Sequence, residues 1–247
     1  GFCPCGEQRH AQDKKRLKTG IVMRKNILLV LLLVAAMGRV QAQQAAQYSL
    51  FALNPYAYNT AYAGLDGSVS ATAVFRKQWV SFAGSPLTFQ ANVHAPVPFL
   101  RSGFGFSAEH DRLGAQANTH LRASYNYFIP IKSGTLSIGV GGTWLQKTID
   151  ADLLRTPDGN YEGGIIEHND QLLSAGRSVG ATFGVEAGIY YKHPRFAVGL
   201  GATHLNAPVS TLSGQAVTTK VRYQRAFAFQ AQYNWEINAD WLLQPNV

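Results

Sequence analysis

Apolar and polar residues alternate along most of this chain. In residues 87–95 every odd position is apolar and every even position is polar. Residues 102–111 repeat the pattern, with Phe104 and Phe106 on the apolar side. A period of two is that of a β-strand, because successive side chains point to opposite faces. The pattern therefore predicts a sheet with one apolar and one polar face.

Nine strands are predicted from residue 69 onward. Their approximate bounds are 69–78, 87–95, 102–111, 117–127, 135–146, 181–191, 196–205, 221–235 and a ninth that begins near residue 239. Most of these segments are longer than the average of about five to six residues in soluble proteins, and they match the roughly nine to eleven residues that a tilted membrane strand needs. Strand length thus favours a membrane barrel over a soluble sandwich.

The connections between these strands alternate in length. One set is short throughout, at residues 96–101, 130–134, 192–195 and 236–238. The other set includes every long connection, at residues 79–86, 112–116, 147–180 and 206–220. Short periplasmic turns and longer outer loops are typical of outer-membrane barrels, and aromatic residues beside the short turns are typical of their interfacial girdle.

A barrel assigns its polar face to a wet lumen. The residues predicted to face the lumen are Gln90, Asn92, Glu109, His120, Arg122, Asn126 and Glu186. We expect Glu109 and Arg122 to pair across the third hairpin. The predicted fold is an all-β, antiparallel transmembrane outer-membrane β-barrel. It is expected to be incomplete at the C-terminus, because nine strands are an odd number and leave an open edge.

The first 42 residues are expected to be absent from the mature barrel. Residues 23–42 combine a basic start, an apolar run of ten residues at 27–36 and small residues before Gln43, which is the organisation of a secretory signal peptide. Residues 1–22 are then an upstream, non-native extension, the alternative being a genuine cytosolic extension. Residues 43–68 are predicted to be an irregular, periplasmic segment, and residues 69–247 a partial β-barrel.

Removing the leader changes the interpretation of the charge. Residues 1–42 contain eight basic and two acidic residues, and so carry six of the eight net positive charges. The high isoelectric point is therefore no indication of nucleic-acid binding. Both cysteines, Cys3 and Cys5, lie in the same leader. The mature chain is expected to be an exported protein without disulfides.

No pattern in the chain indicates catalysis or a cofactor. The six histidines after the leader show no repeated ligand spacing, so no metal site is predicted. The glycine-rich run at residues 139–142 is not followed by the Lys-Ser/Thr pair of a phosphate-binding loop. A lipid-modifying enzyme would need a serine, a histidine and an acid in one constellation, and the pattern supplies none.

An ordered series of short motifs runs from residue 51 to residue 96. FALNP at 51–55 is followed by NTAYAG at 59–64, RKQW at 76–79, GSP at 84–86 and HAP at 94–96. This series resembles the PorP/SprF family of the type IX secretion and gliding machinery of Bacteroidetes, although Thr60 stands where that family usually has proline. The residues that carry the resemblance are Asn54, Pro55, Asn59, Ala61, Tyr62, Ala63, Gly64, Arg76, Gln78, Trp79, Gly84, Pro86, His94 and Pro96.

The resemblance implies a structural, non-enzymatic protein of the outer membrane without a cofactor. Its implied partners are type IX secretion components in the periplasm and outer membrane, outer-membrane lipid and a secreted surface adhesin. A channel for small solutes or a selected substrate is the alternative function. Filling of the lumen by the segment before Gly64 would favour the anchoring role.

The longest connection is the expected site of function. Residues 147–180 contain six acidic and three basic residues. This acidic loop and residues 206–220 are expected to form the outer surface that holds the partner, whereas residues 54–64 and the short turns face the periplasmic machinery. The alternative is a variable loop with no partner.

Overall fold

The computed structural model describes residues 51–247, except residues 83, 165, 171–175, 215–217 and 239–240. The predicted signal peptide and the extension before it lie outside these residues. No helix in the described part of the chain is both long enough and apolar enough to cross a membrane.

The described chain is built from strands and a few single-turn 3₁₀ helices. The strands are β1 Ser70–Lys77, β2 Leu87–Val97, β3 Ser102–Leu113, β4 Gln116–Ile131, β5 Gly134–Asp150, β6 Arg177–Lys192, β7 Phe196–Thr203, β8 Val209–Ser213, β9 Thr218–Arg222, β10 Ala226–Tyr233, β11 Trp235–Glu236 and β12 Leu242–Leu243. The 3₁₀ helices are Phe51–Leu53, Pro55–Ala57, Thr60–Tyr62, Pro98–Leu100, Ala151–Leu153 and Glu162–Gly164.

From β1 to β7, strands that are adjacent in sequence are also adjacent in the main sheet. The order is β1-β2-β3-β4-β5-β6-β7-β10, and every pairing is antiparallel. The predictions for the first seven strands are confirmed, and β2 to β6 extend beyond their predicted bounds. Longer strands follow from continuous pairing up to the turns, which the alternation alone does not reveal.

The chain between β7 and β10 differs from the prediction. Residues 206–220 were expected to be a loop, but β8 and β9 form a hairpin there, and β8 also pairs with β6. The predicted eighth strand was therefore wrong at its start, since residues 221–222 belong to β9. The five-residue strands β8 and β9 are too short for a period of two to stand out from the surrounding polar residues.

The two faces of the sheet differ in exposure. In β2 the polar side chains of Thr88, Gln90, Asn92 and His94 are buried, whereas Phe89 is 48% exposed. Many large apolar residues elsewhere in the sheet are exposed in the same way: Phe104, Phe106, Leu121, Tyr125, Ile138, Val140, Phe183 and Leu200. This distribution is the inverse of that in a soluble protein. It is the distribution of a barrel whose outer face contacts lipid.

The sheet curves around the segment that precedes β1. Asn54 Nδ2 donates to Gln90 Oε1 in β2 at 3.0 Å, and Gln230 Nε2 in β10 donates to the carbonyl oxygen of Pro55 at 3.1 Å. Strands β2 and β10 are six positions apart in the sheet order. A flat sheet would separate them by about 29 Å. Two adjacent residues reach both strands only because the sheet is strongly curled, with its polar face inside.

The difference between the faces makes a testable prediction. Phe106 lies mid-way along β3 on the exposed apolar face, so F106R should destabilise the folded protein by about 2–4 kcal/mol in vesicles. Ile131 lies on the same face at the end of β4, where the same charge costs about 0–1 kcal/mol, so I131R is the matched control. Urea unfolding in lipid vesicles measures both values, and equal losses would show that the apolar face does not contact the hydrocarbon.

Candidate functional site

The residues before β1 form the inner segment, which we define as residues 51–66. Two of its turns begin at asparagine. Asn54 precedes Pro55, whose fixed φ suits the first position of a helix. Asn59 caps the next turn, because its Oδ1 accepts a hydrogen bond from the backbone N–H of Ala61 at 3.0 Å. The NP and NTAY motifs thus produce a compact, non-strand path across the polar face.

An irregular segment leaves backbone groups that a strand or long helix would satisfy internally. The polar face supplies partners for several of them. Asn126 Nδ2 in β4 donates to the carbonyl oxygens of Ala61 and Ala63 at 2.7 and 2.8 Å. At the other end of the path, Asn59 Nδ2 donates to the carbonyl oxygen of Ile189 in β6 at 3.2 Å. These bonds fix the inner segment to the centre of the sheet.

Arg122 in β4 is the main charged contact. Its guanidinium donates to the carbonyl oxygens of Tyr56 and Ala57 at 2.9 and 3.0 Å, and lies 4.8 Å from the centre of the Tyr56 ring. The same group approaches Glu186 Oε2 in β6 at 3.4 Å, and both side chains are buried. Glu186 also accepts a short hydrogen bond from Thr143. The buried charge is therefore paired and hydrogen-bonded, as a stable buried ion requires.

Tyr56 and Asn54 of the inner segment also interact with side chains on the polar face of the sheet. The Tyr56 hydroxyl lies 2.8 Å from Ser124 Oγ, and Asn54 Oδ1 accepts a hydrogen bond from Asn92 Nδ2 at 2.9 Å. Burial is the main cause that raises the pKa of the Tyr56 hydroxyl above its usual range. Tyr56 remains neutral at physiological pH, and its ring is the largest fully buried side chain of the inner segment.

Glycines in the strands allow the inner segment to approach the sheet closely. A single lateral row crosses five strands through the pairs Gly103↔Asn126, Asn126↔Gly139, Gly139↔Gly188 and Gly188↔Gly201. A Cβ atom at Gly139 would lie 2.7 Å from the Cα of Ala61. At the other members of the row it would collide with Ala63, Asn59 or the carbonyl of Tyr58. The glycine row is the groove in which residues 58–63 lie.

The inner segment turns into β1 through a cluster around Asp66. Gly64 has a φ of +73°, which favours glycine, and its N–H donates to His94 Nδ1 at 3.1 Å. Tyr62 donates from its hydroxyl to Asp66 Oδ1 at 2.6 Å. Burial, followed by the bond to Asp66, raises the pKa of the Tyr62 hydroxyl. Lys192 donates to the carbonyl oxygen of Leu65 at 2.8 Å and secures the same corner.

The structure divides the motif residues into two groups. Asn54, Pro55, Asn59, Ala61, Tyr62, Ala63 and Gly64 meet His94 and Pro96 at the inner segment. Arg76, Gln78, Trp79, Gly84 and Pro86 lie around the loop between β1 and β2, on the opposite rim. There Arg76 donates to Gln78, and Trp79 is 64% exposed with a φ of +55°. The hydrogen bonds of this second group lie on that rim.

The predicted lumen residues lie at two depths. Gln90, Asn92, Arg122, Asn126 and Glu186 are buried beneath the inner segment. Glu109 and His120 lie nearer the long loops, with 22% and 29% of their side chains exposed. Their assignment to a lumen remains a prediction, although they share the face that the inner segment covers.

The expected pairing of Glu109 with Arg122 was wrong. The β3–β4 register places Glu109 opposite His120 and Arg122 opposite Ser107. Glu109 Oε1 lies 3.5 Å from His120 Nδ1, and Arg122 pairs instead with Glu186, two strands away. Gly141 lies in β5 opposite Glu186, and a Cβ there would lie 2.9 Å from the methyl group of Thr60, so this glycine makes room for the inner segment.

Sequence reasoning missed several contact residues, including Tyr56, Ser124, Thr143 and the glycine row. The signal for the row was present, since these glycines recur at polar-face positions of the alternation. Within the described residues, no group of three His, Cys, Asp or Glu side chains is placed to hold a metal ion. The polar side chains of the site serve to hydrogen-bond the backbone of an irregular segment.

An antiparallel sheet that curls around a buried polar face and exposes its apolar face defines the class of this protein. It is an all-β membrane protein of the β-barrel type. Residues 40–247 match the family model described as type IX secretion system membrane protein PorP/SprF. The chain belongs to this family. It is therefore a membrane protein of a secretion system, and it associates with other components of that system. No curated protein and no solved structure matches the chain.

The buried ion pair gives a prediction about stability. R122M leaves Glu186 buried without its partner and removes two donors to the inner segment, so it should cost about 3–5 kcal/mol of unfolding free energy. The double variant R122M/E186M should cost less, because no unpaired charge remains. R112M, at an exposed position of β3, should change stability by no more than about 0.5 kcal/mol. A double variant less stable than R122M would contradict this account of the pair.

The glycine row gives a second prediction. G139A places a methyl group against the backbone of Ala61, which cannot move aside, and should cost about 1–3 kcal/mol. Gly142 lies in the same strand on the opposite face, where a Cβ would meet only the tip of the Phe183 ring. G142A is therefore the matched control and should be milder. Urea unfolding of both variants in vesicles tests whether the inner segment is pressed against the row.

Proposed function

We propose that this protein is a structural, non-enzymatic barrel of the outer membrane, and that it secretes or anchors an adhesin-like partner. The observation that carries the proposal is the filled polar face. The side chains that would line a conducting path are bonded instead to the inner segment or to one another. The protein is thus suited to hold other proteins rather than to pass solutes.

The channel alternative requires an open polar lumen. The inner segment instead covers Gln90, Asn92, Arg122 and Asn126, and it contacts strands from β2 to β10. Water or a solute would have to displace a buried ion pair and several backbone bonds. Such a seal favours a scaffold over a passive channel.

The histidines and the buried acid of the described residues have structural partners. No histidine there is hydrogen-bonded to a serine: His94 bonds to a backbone N–H, His110 to a threonine and His168 to a tyrosine. The unusual buried acid, Glu186, is committed to Arg122 and Thr143. These groups are used for structure.

The connection between β5 and β6 provides a candidate docking surface. The Tyr161 hydroxyl accepts from the N–H of Thr156 at 2.7 Å and lies 3.0 Å from His168 Nδ1. Arg155 lies over the Tyr161 ring, at 4.4 Å from its centre. Asp152 Oδ1 accepts from the N–H of Gly176 at 2.5 Å and closes the base of the loop. These contacts join residues of the loop to one another, so they hold its described part in a defined conformation.

The exposed side of this loop is acidic. Asp158, Glu162 and Glu167 are exposed and form no ion pair with any residue that the structure describes. We assign the loop to the outer rim and infer that it holds the secreted partner through complementary basic groups. The short turns then face the periplasmic components. Residues 54–64, which were expected to share that role, are buried against the sheet and offer little surface.

Deleting residues 158–170 from the full-length gene tests this assignment. The barrel should remain in the outer-membrane fraction, because the deleted residues lie outside every strand of the main sheet, and the partner should appear in the culture medium. D158N/E162Q/E167Q keeps the loop intact and should release part of the partner if charge contributes to binding. The control is E236Q, which removes an exposed carboxylate from the opposite rim and should leave the partner in place.

Partner retention in the deletion strain would exclude this loop as the docking surface. Loss of the barrel itself from the membrane would show that the loop is needed for assembly, and would refute the separation of the two roles. Immunoblotting of cell fractions and medium for both proteins distinguishes these results.

A further inference from the structure

The rim formed by the short turns carries an unpaired cation in three successive turns. Arg101 follows the 3₁₀ helix between β2 and β3, Lys132 lies in the turn between β4 and β5, and Arg195 lies in the turn between β6 and β7. All three are exposed. Their side chains form no ion pair or hydrogen bond with any residue that the structure describes. We call these three residues the basic rim.

Turn geometry does not explain these basic residues. Arg101 and Lys132 have φ values of +48° and +51°, in the left-handed region that disfavours residues with a Cβ. Glycine or asparagine suits such positions better. A long basic side chain contributes nothing to the turn itself, so the charge calls for another explanation.

The position of the basic rim relative to the apolar face supplies one. Each cation lies within two residues of an exposed apolar residue in the sequence: Phe99, which is 85% exposed, precedes Arg101, Ile131 precedes Lys132, and Phe196 follows Arg195. The apolar face contacts hydrocarbon, so its edge lies at the level of the lipid headgroups. Aromatic residues and long cations share that level, because the stem lies in the apolar layer while the charge reaches the polar one.

Few acidic groups compete for these cations. Asp66 lies on the same rim, but it accepts from Tyr62 and Ser70 and approaches Lys192 at 3.9 Å. Glu236 lies in the hairpin after β10. On the opposite rim, the loop between β5 and β6 carries the carboxylates already described. Exposed carboxylates are therefore fewer beside the short turns than on the opposite rim.

We propose that the basic rim binds the phosphate groups of anionic phospholipids in the adjacent leaflet. The exposed apolar neighbours are continuous with the lipid-facing surface, which favours a lipid over a water-soluble acidic protein as the occupant. The contacts would fix the depth and tilt of the barrel. This inference depends on the membrane fold and not on the identity of the secreted partner.

The test measures binding of phosphatidylglycerol and phosphatidylcholine to the full-length protein in detergent, by native mass spectrometry. The protein should prefer phosphatidylglycerol, and each cation that contacts a headgroup should contribute about fivefold. R101Q/K132Q/R195Q should lose this preference. K77Q/R112Q/R222Q removes the same charge from exposed positions toward the opposite rim and should retain it.

Three results would overturn the proposal. The first is equal binding of the two lipids by the unmodified protein. The second is an equal loss of preference in both triple variants, which would indicate a general effect of net charge. The third is full competition by soluble glycerol phosphate or by polyglutamate, since either would assign the basic rim to a soluble anion or an acidic protein. Failure of the partner-release experiment leaves the lipid result unaffected.

Discussion

The rest of this structure depends on one requirement: the backbone N–H and carbonyl groups of an irregular segment inside a curled sheet must find hydrogen-bond partners. Residues 54–64 do not form a strand, so their carbonyl and N–H groups need partners from elsewhere. Arg122 and Asn126 each donate to two of those carbonyls, and His94 accepts from one N–H. Without these side chains the inner segment would expose unsatisfied polar groups in a poorly solvated interior.

This requirement explains why the polar face is built from two kinds of residue. Long amides and charged groups reach toward the inner segment where it stands away from the sheet, whereas glycines occur where its backbone touches the strands. Both kinds lie in rows set by the antiparallel register, because residues at one height in neighbouring strands meet the same part of the segment. The opposite face is free of this constraint and is simply apolar, as contact with lipid requires.

Much of the fold could be predicted from the sequence, because strands with one apolar face must alternate. Strands β1 to β7 follow from this rule. The β8–β9 hairpin does not, because five polar-rich residues carry too short a pattern. Glu109 was paired with the wrong residue because alternation gives the face of a side chain but not its partner. The Arg122–Glu186 contact joins two strands that are not neighbours in the sheet, so the alternation does not encode it. The path of the inner segment depends on contacts more than 60 residues away, which no local pattern encodes.

The central claim is that residues 54–64 lie against the polar face of the barrel in the membrane, and hydrogen exchange tests it most directly. The amide protons of Ala57, Tyr58, Asn59, Ala61, Tyr62 and Gly64 all have acceptors in the structure. The account predicts that a peptide covering residues 54–64 exchanges as slowly as β4 when the full-length protein is held in a lipid bilayer. Exchange as fast as that of the β1–β2 loop, residues 78–86, would show that the segment is not seated there and would contradict the account.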